Sequence, residues 1–187
     1  MQMKESLDVR CRSIQESDLE MIMKWRMMPE ITKYMNTDPQ LTLAGQKRWY
    51  DNICQSKQDF YWVVEVDGVA SGIASLVNLD ETAKRIHTGV YIAEKKKRSL
   101  QLTMELQWNL YEYAFEVLHM EKVCEEIFSE NKAVIRILDM CGSKKEGVLR
   151  NHVLKNGIYH DVVVRGILKQ EWNCLKENIV YTHFLFE

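Results

Sequence analysis

A chain of 187 residues, 46% hydrophobic and 28% charged, has the composition of a soluble globular protein and the length of a single domain spanning residues 1–187. A formal net charge of −2 argues against a dedicated nucleic-acid binder, despite one run of four cations. Five scattered cysteines without a CxxC pair point to free thiols rather than disulfides or a metal site. With no membrane-length apolar run and no signal-peptide core, the reading is cytoplasmic, with no membrane partner.

In chain order, Leu7 to Ile14 predicts a first strand. Ser17 and Glu20 have capping-box spacing, so Ser17 is expected to cap a helix ending near Met28, before Pro29. A helical turn over Glu30 to Met35 follows, then a helix from Thr42 to about Cys54 with Leu43, Trp49 and Ile53 inward. Phe60 to Val66 is aromatic and β-branched, and Asp67-Gly68 is a hairpin signal leading to a return strand over Val69 to Leu79. A third strand over Arg85 to Ile92 completes an antiparallel meander.

The stretch from Tyr91 to Phe115 reads as a strand end, a basic loop and a long amphipathic helix. Leu102, Leu106, Leu110, Tyr113 and Val117 recur at helical spacing, and Ser99 is the expected N-cap. Lys95, Lys96, Lys97 and Arg98 therefore precede the positive pole of the helix dipole, where each cation costs about 0.3–1 kcal/mol. A polyanion would offset that cost, because free N–H groups, dipole and cations would converge on it; the alternative is a solvated basic loop. Beyond lie a strand over Val123 to Phe128 and a helix over Asn131 to Met140, with Ala133, Val134, Ile137 and Leu138 inward and Cys141-Gly142 as its stop. A second hairpin turns at Asn156-Gly157 between Val148 to Leu154 and Ile158 to Leu168. The final segment, ending IVYTHFLFE, is expected either to add a strand or to face a partner. This order implies an α/β domain with a mixed sheet and a crevice where neighbouring strands diverge.

The residues HTGVYIAEKKKR, EYAFEVLHMEKV, the Glu130-Asn131-Lys132-Ala133-Val134 helix start and LDMCGSKKEGVLR resemble the GNAT superfamily of acyl-CoA-dependent N-acyltransferases, in its ribosomal-protein N-acetyltransferase-like branch. KWRMMPEITKYM, the Asn-Gly hairpin and HDVVV with a later EW are similar to nucleotide-sugar N-acetyltransferases of pseudaminic acid biosynthesis. The resemblance implies a GNAT fold, with a mixed, mostly antiparallel twisted sheet flanked by helices and an acyl-CoA cleft between splayed central strands. It also implies transfer of acetyl from acetyl-CoA to a primary amine of a small molecule, with no metal and no nucleic acid, and a possible homodimer.

By this resemblance, Val90, Tyr91, Ile92 and Ala93 would offer main-chain groups to the pantetheine amides, and one N–H would stabilise the oxyanion. The diphosphate would sit over Lys97, Arg98, Ser99, Leu100, Gln101 and Leu102, where leucines 100 and 102 replace the family's glycines. Asn131 would touch CoA amides or act only as a helix cap. His87 is the expected base, with Glu65 in reserve. The usual acidic tyrosine corresponds to Leu138; Tyr91 or Tyr159 could replace it, without support from spacing. Arg26, in the arginine position of the nucleotide-sugar pattern, suits a phosphate or carboxylate, while Trp25, Tyr34 and Trp49 could stack on a base or sugar or simply pack in the core. The leading acceptor is a UDP-4-amino-sugar; the alternatives are a protein N-terminus or other small amine, and a catalytically impaired binding module.

Overall fold

The computed structural model describes residues 8–187, so the expected strand start at Leu7 lies outside the described residues. Eight strands form one sheet: β1 (Val9–Ser13), β2 (Phe60–Val66), β3 (Val69–Asp80), β4 (Arg85–Ile92), β5 (Lys122–Phe128), β6 (Lys144–Lys155), β7 (Ile158–Leu168) and β8 (Leu185–Phe186). Their order is β6-β7-β5-β4-β3-β2-β1-β8, antiparallel except for β4–β5 and β1–β8. The mixed, mostly antiparallel sheet expected from sequence is therefore present. The two hairpins turn at Asp67-Gly68 (φ 51° and 73°) and Asn156-Gly157 (φ 51° and 76°), the paired positive dihedrals that a two-residue turn demands. The chain's last residues do add a strand: β8 runs parallel to β1, and the Ser13 N–H donates to the Glu187 carbonyl at 2.6 Å.

Helices cover both faces: α1 (Leu19–Arg26), α2 (Pro29–Thr32) and α3 (Leu43–Gln55) on one, α4 (Leu100–Glu112), α5 (Lys132–Met140) and α6 (Lys169–Lys176) on the other. The larger core, including Leu76, Ile86, Leu106, Tyr111, Phe115 and Trp172, lies beneath α4 and α6. The smaller one joins Leu19, Ile22, Val63 and Ile73 under α1 and α3.

Several sequence expectations shift. Ser17 is not the first cap; it lies inside a 3-10 turn (Glu16–Asp18), and the Asp18 carboxylate takes the Gln15 N–H at 2.8 Å. The turn expected to reach Met35 closes as α2 at Thr32. Leu43 is 45% exposed because it sits in the first turn of α3, where Thr42 caps the Gly45 N–H at 3.1 Å. Val117 is 54% exposed, since α4 ends in a π-helical turn (Tyr113–Val117) in which the Leu118 N–H reaches the Tyr113 carbonyl. The wider i→i+5 turn rotates later residues off the apolar stripe. Ala133 also faces solvent, while Leu138 is the buried residue of α5.

Parallel pairing of β4 with β5 covers only Arg85↔Lys122, Ile86↔Val123 and His87↔Cys124, then stops. β4 stays instead with β3 as far as Ile92↔Gly72, and the N–H groups of Ala93 and Glu94 both donate to the Ser71 carbonyl, at 2.7 and 3.0 Å. Small residues allow this approach. A Cβ on Gly72 would collide with the Tyr91 carbonyl oxygen and stand 2.9 Å from the Ile92 Cα. Strand β4 thus leans toward β3 and away from β5, opening a fork.

Candidate active site

The fork leaves polar backbone without a strand partner. Because the Ala93 N–H points to β3, the alternation of a strand turns Thr88, Val90 and Ile92 toward the gap. The N–H and carbonyl of Val90 and the N–H of Ile92 therefore face the gap without a partner among the described residues, whereas Tyr91 and Ala93 are turned to β3. From Ile92 to Thr88, at the apex, the open edge runs about 13 Å.

At the wide end stands the start of α4. Ser99 caps it, accepting the Leu102 N–H at 3.1 Å, while the Leu100 and Gln101 amides have no protein acceptor among the described residues. The cationic run is largely spent on the protein itself. Lys95 pairs with Glu30 at 3.0 Å and Lys97 with Asp67 at 2.6 Å. Arg98, an exposed residue, folds back on the strand end, donating from Nε to the Ile92 carbonyl at 2.7 Å and from Nη2 to the Ala93 carbonyl at 3.1 Å. Lys96 alone of the run has no acceptor for its ammonium among the described residues. Arg98 thus secures the strand end rather than offering a loose charge.

The two leucines at the expected glycine positions differ in their surroundings. Leu102 is fully buried in the core below α4 and takes no space from the helix terminus. Leu100 is 53% exposed and stands beside that terminus.

His87 occupies the last paired step before the fork, opposite Cys124 and facing the α1–α3 side. Burial holds its pKa below the ordinary value, and the Glu126 carboxylate partly opposes that shift. The ring is therefore neutral, and able to accept a proton, at neutral pH. Glu65 is not a free base. It accepts from Arg12 Nε at 2.6 Å, and the same guanidinium grips Asp18 at 2.7 and 2.9 Å. It also lies opposite Ala70, toward the far end of β4 from His87.

On the other face of the apex, the carboxyl of Glu125 is 2% exposed. It accepts from the Tyr111 hydroxyl at 2.5 Å, from Gln107 Nε2 at 3.2 Å and from the Ser143 hydroxyl. Burial raises its pKa; bonds from Ser143 and Tyr111 and the nearby Arg165 charge oppose the shift. No motif marked this cluster, because its members are far apart in the chain.

Leu138 is buried, with 4% exposure, and carries no hydroxyl. Neither proposed replacement is at the apex: Tyr91 points its hydroxyl into the α1 side, and Tyr159 is exposed beside the β6–β7 turn. Asn131 caps α5, its side chain accepting the Val134 N–H at 3.4 Å.

A cleft of about 860 Å³ lies between the α2 region and the β6–β7 hairpin, lined by Glu30, Lys33, Asp38, Lys155 and His160 among others. Its walls are tied together. The Lys155 ammonium, nearly buried, bonds the Thr32 carbonyl at 2.6 Å and Asp38 at 3.0 Å. His160 stacks on Phe128 at 4.8 Å, with Nδ1 3.4 Å from Glu130. Sequence reasoning passed over Lys155, which precedes the quoted Asn156-Gly157 turn, and His160, which begins the quoted HDVVV. Trp49 packs edge-on against Tyr61 at 5.4 Å, and Trp25 joins the same cluster, so both serve the core. Tyr34 is exposed, with Lys33 5.0 Å over its ring. Arg26 has no carboxylate partner among the described residues; it contacts the Met35 sulfur, and its charge acts on the hydroxyls of Tyr61 and Tyr91. The Tyr91 hydroxyl is buried without a hydrogen-bond partner.

Among the described residues no group of three or more His, Cys, Asp or Glu is arranged to hold a metal, and no helix is long and apolar enough to cross a membrane.

Residues 8–144 match a family model described as an acetyltransferase (GNAT) domain. The putative ribosomal N-acetyltransferase YdaF of Bacillus subtilis (strain 168) is 26% identical over 151 residues, 80% of this chain and 79% of the relative. Acetyltransferase PseH of Campylobacter jejuni is 25% identical over 124 residues, 66% of this chain and 75% of the relative. The crystal structure of spermidine N-acetyltransferase from Vibrio cholerae in complex with CoA and spermine shares the fold. Its TM-score is 0.83 at 20% identity, over 88% of this chain and 98% of that one. The chain therefore belongs to the GNAT acetyltransferases, enzymes whose acyl donor is acetyl-CoA.

Proposed function

We propose that this enzyme acetylates the primary amine of a small acceptor that also carries an anionic group, of the kind found in a nucleotide-linked amino sugar. The observation behind the acceptor class is Arg26. A part-buried guanidinium with no carboxylate partner among the described residues suits a phosphate or carboxylate and repels a polycation. The carboxylates of Glu30 and Asp38 favour a second reading, a polyamine such as the spermine bound to the Vibrio cholerae relative, but Lys95 and Lys155 already neutralise them.

The donor fits the fork by its own chemistry. Its two pantetheine amides match the open N–H and carbonyl of Val90 and the N–H of Ile92, whose carbonyl Arg98 already occupies, and its diphosphate matches the free amides of Leu100 and Gln101 with Lys96 alongside. Laid this way, the thioester reaches the apex beside His87. Neutral His87 takes a proton from the acceptor ammonium, directly or through one water, and the freed amine attacks the carbonyl carbon. The Val90 N–H then faces the oxyanion of the tetrahedral intermediate. A CoA thiolate, with a pKa of about 8.5, leaves without a positioned acid, which is compatible with Leu138 at the position where the family resemblance implies a tyrosine.

Steady-state rates with a UDP-amino sugar, spermidine and an N-terminal peptide test the acceptor class. Arg26→Ala is expected to lower kcat/KM for the UDP-amino sugar by about 10–100-fold, the worth of one charge-assisted hydrogen bond, with the KM for acetyl-CoA unchanged. Spermidine as the best substrate, indifferent to Arg26→Ala, would replace this acceptor by the polyamine.

A further inference from the structure

The apex of the fork is closed on its α4 side by a polar bridge rather than by apolar packing. Continuing the register past His87↔Cys124 brings Thr88 opposite Glu125, the first step without strand pairing. Gln107, reaching up from α4, spans that step: its Nε2 lies 3.0 Å from the Thr88 hydroxyl and 3.2 Å from the Glu125 carboxyl. Tyr111 and Ser143 hold the same carboxyl from below and from the loop after α5. Gln107 and Glu125 are both buried, so the bridge is a fixed floor and not a solvated surface.

We propose that the Thr88–Gln107–Glu125 bridge is the acyl-length stop of this enzyme, restricting it to short donors such as acetyl-CoA. The inference rests on the donor lying in the fork as described above, but not on the identity of the acceptor or of the base. A donor entering from the α4 terminus reaches the apex with its acyl group foremost. An acetyl group ends at the bridge. A longer chain has to push Gln107 aside, which removes a donor from both Thr88 and the buried Glu125 and sets methylene groups against polar atoms.

Calorimetric titration with acetyl-, butyryl- and hexanoyl-CoA tests this without any acceptor. The wild type is expected to bind butyryl-CoA at least about 10-fold more weakly than acetyl-CoA, and hexanoyl-CoA more weakly still. Gln107→Ala should bring the three dissociation constants within about threefold of one another, and Glu125→Gln, which keeps an acceptor for the Gln107 amide, should retain the wild-type order. If Gln107→Ala does not fold, Gln107→Asn, shorter by one methylene, is expected to admit butyryl- but not hexanoyl-CoA. Equal affinity for all three thioesters in the wild type overturns the stop and leaves the donor site standing. So does a Gln107→Ala variant weakened equally toward all three. Absence of heat with every thioester at millimolar concentration overturns the donor site itself.

Discussion

His87→Ala is expected to lower kcat by about 10²–10⁴-fold, the usual contribution of a positioned general base, while leaving the dissociation constant of acetyl-CoA unchanged. The separation follows from geometry. His87 faces the α1–α3 side at the last paired step, whereas the groups suited to the donor line the open edge beyond it and the start of α4. The pH dependence is a sharper test. Burial holds the imidazole pKa below its ordinary value, so the wild-type rate should climb with pH through a value below about 6.5 and then level. In the alanine variant that acid limb should vanish. The same shift bears on stability with a defined sign. Between the folded and unfolded pKa values the unfolded chain binds more protons, so stability is lost as pH falls through that window, and His87→Ala should remove the loss. An unchanged acid limb in the variant would exclude His87 as base.

Glu65→Gln provides the contrast. Its carboxylate belongs to the Arg12 cluster, so the substitution should lower the melting temperature and leave the pH–rate profile intact. Loss of the acid limb in this variant, with folding unimpaired, would restore Glu65 as a base candidate.

What was legible in the chain was local. Asp67-Gly68 and Asn156-Gly157 announce their hairpins because few residue pairs accept two positive φ angles in succession, but the first turn sets the β2–β3 register only as far as Glu65↔Ala70, beyond which a bulge shifts it to Val64↔Gly72. Ser99 could be read as a cap because its partner, the Leu102 N–H, is three residues away. The limits of that reading are equally physical. The stripe on α4 was extended to Val117 because heptad counting assumes one helical pitch, and a π-helical turn changes it. The basic run looked like a free cationic lip, yet the partners that occupy it, Glu30 and Asp67, are 65 and 30 positions from Lys95 and Lys97. Arg98 was read as a ligand for phosphate, but it is bound to the carbonyls of the strand that precedes it. The Glu125 cluster gathers residues from α4, β5 and the loop after α5, and nothing in their spacing reveals that the fold brings them under the apex. Pairings set by topology are invisible to pattern reading, and much of the proposed donor site is made of them.

Restoring glycine at the two leucine positions should have opposite outcomes. Leu102→Gly is expected to destabilise the protein by about 3–6 kcal/mol, combining loss of a buried leucine with the helix cost of glycine. For a chain of this size that amounts to a fall in melting temperature of roughly 10–20 °C, a large share of ordinary domain stability. The reason is that Leu102 is fully buried against Leu106 and the sheet core, although it lies in the first turn of α4. Leu100→Gly acts on a residue 53% exposed at the helix start and should cost about 1 kcal/mol or less. It removes a side chain beside the free amides, so acetyl-CoA should bind as tightly as to the wild type or more tightly. Thermal melts and donor titrations on the two variants separate these effects. A Leu102→Gly protein that melts normally and gains donor affinity would mean that Leu102, and not Leu100, borders the diphosphate, and that the helix start is set differently from the arrangement described above.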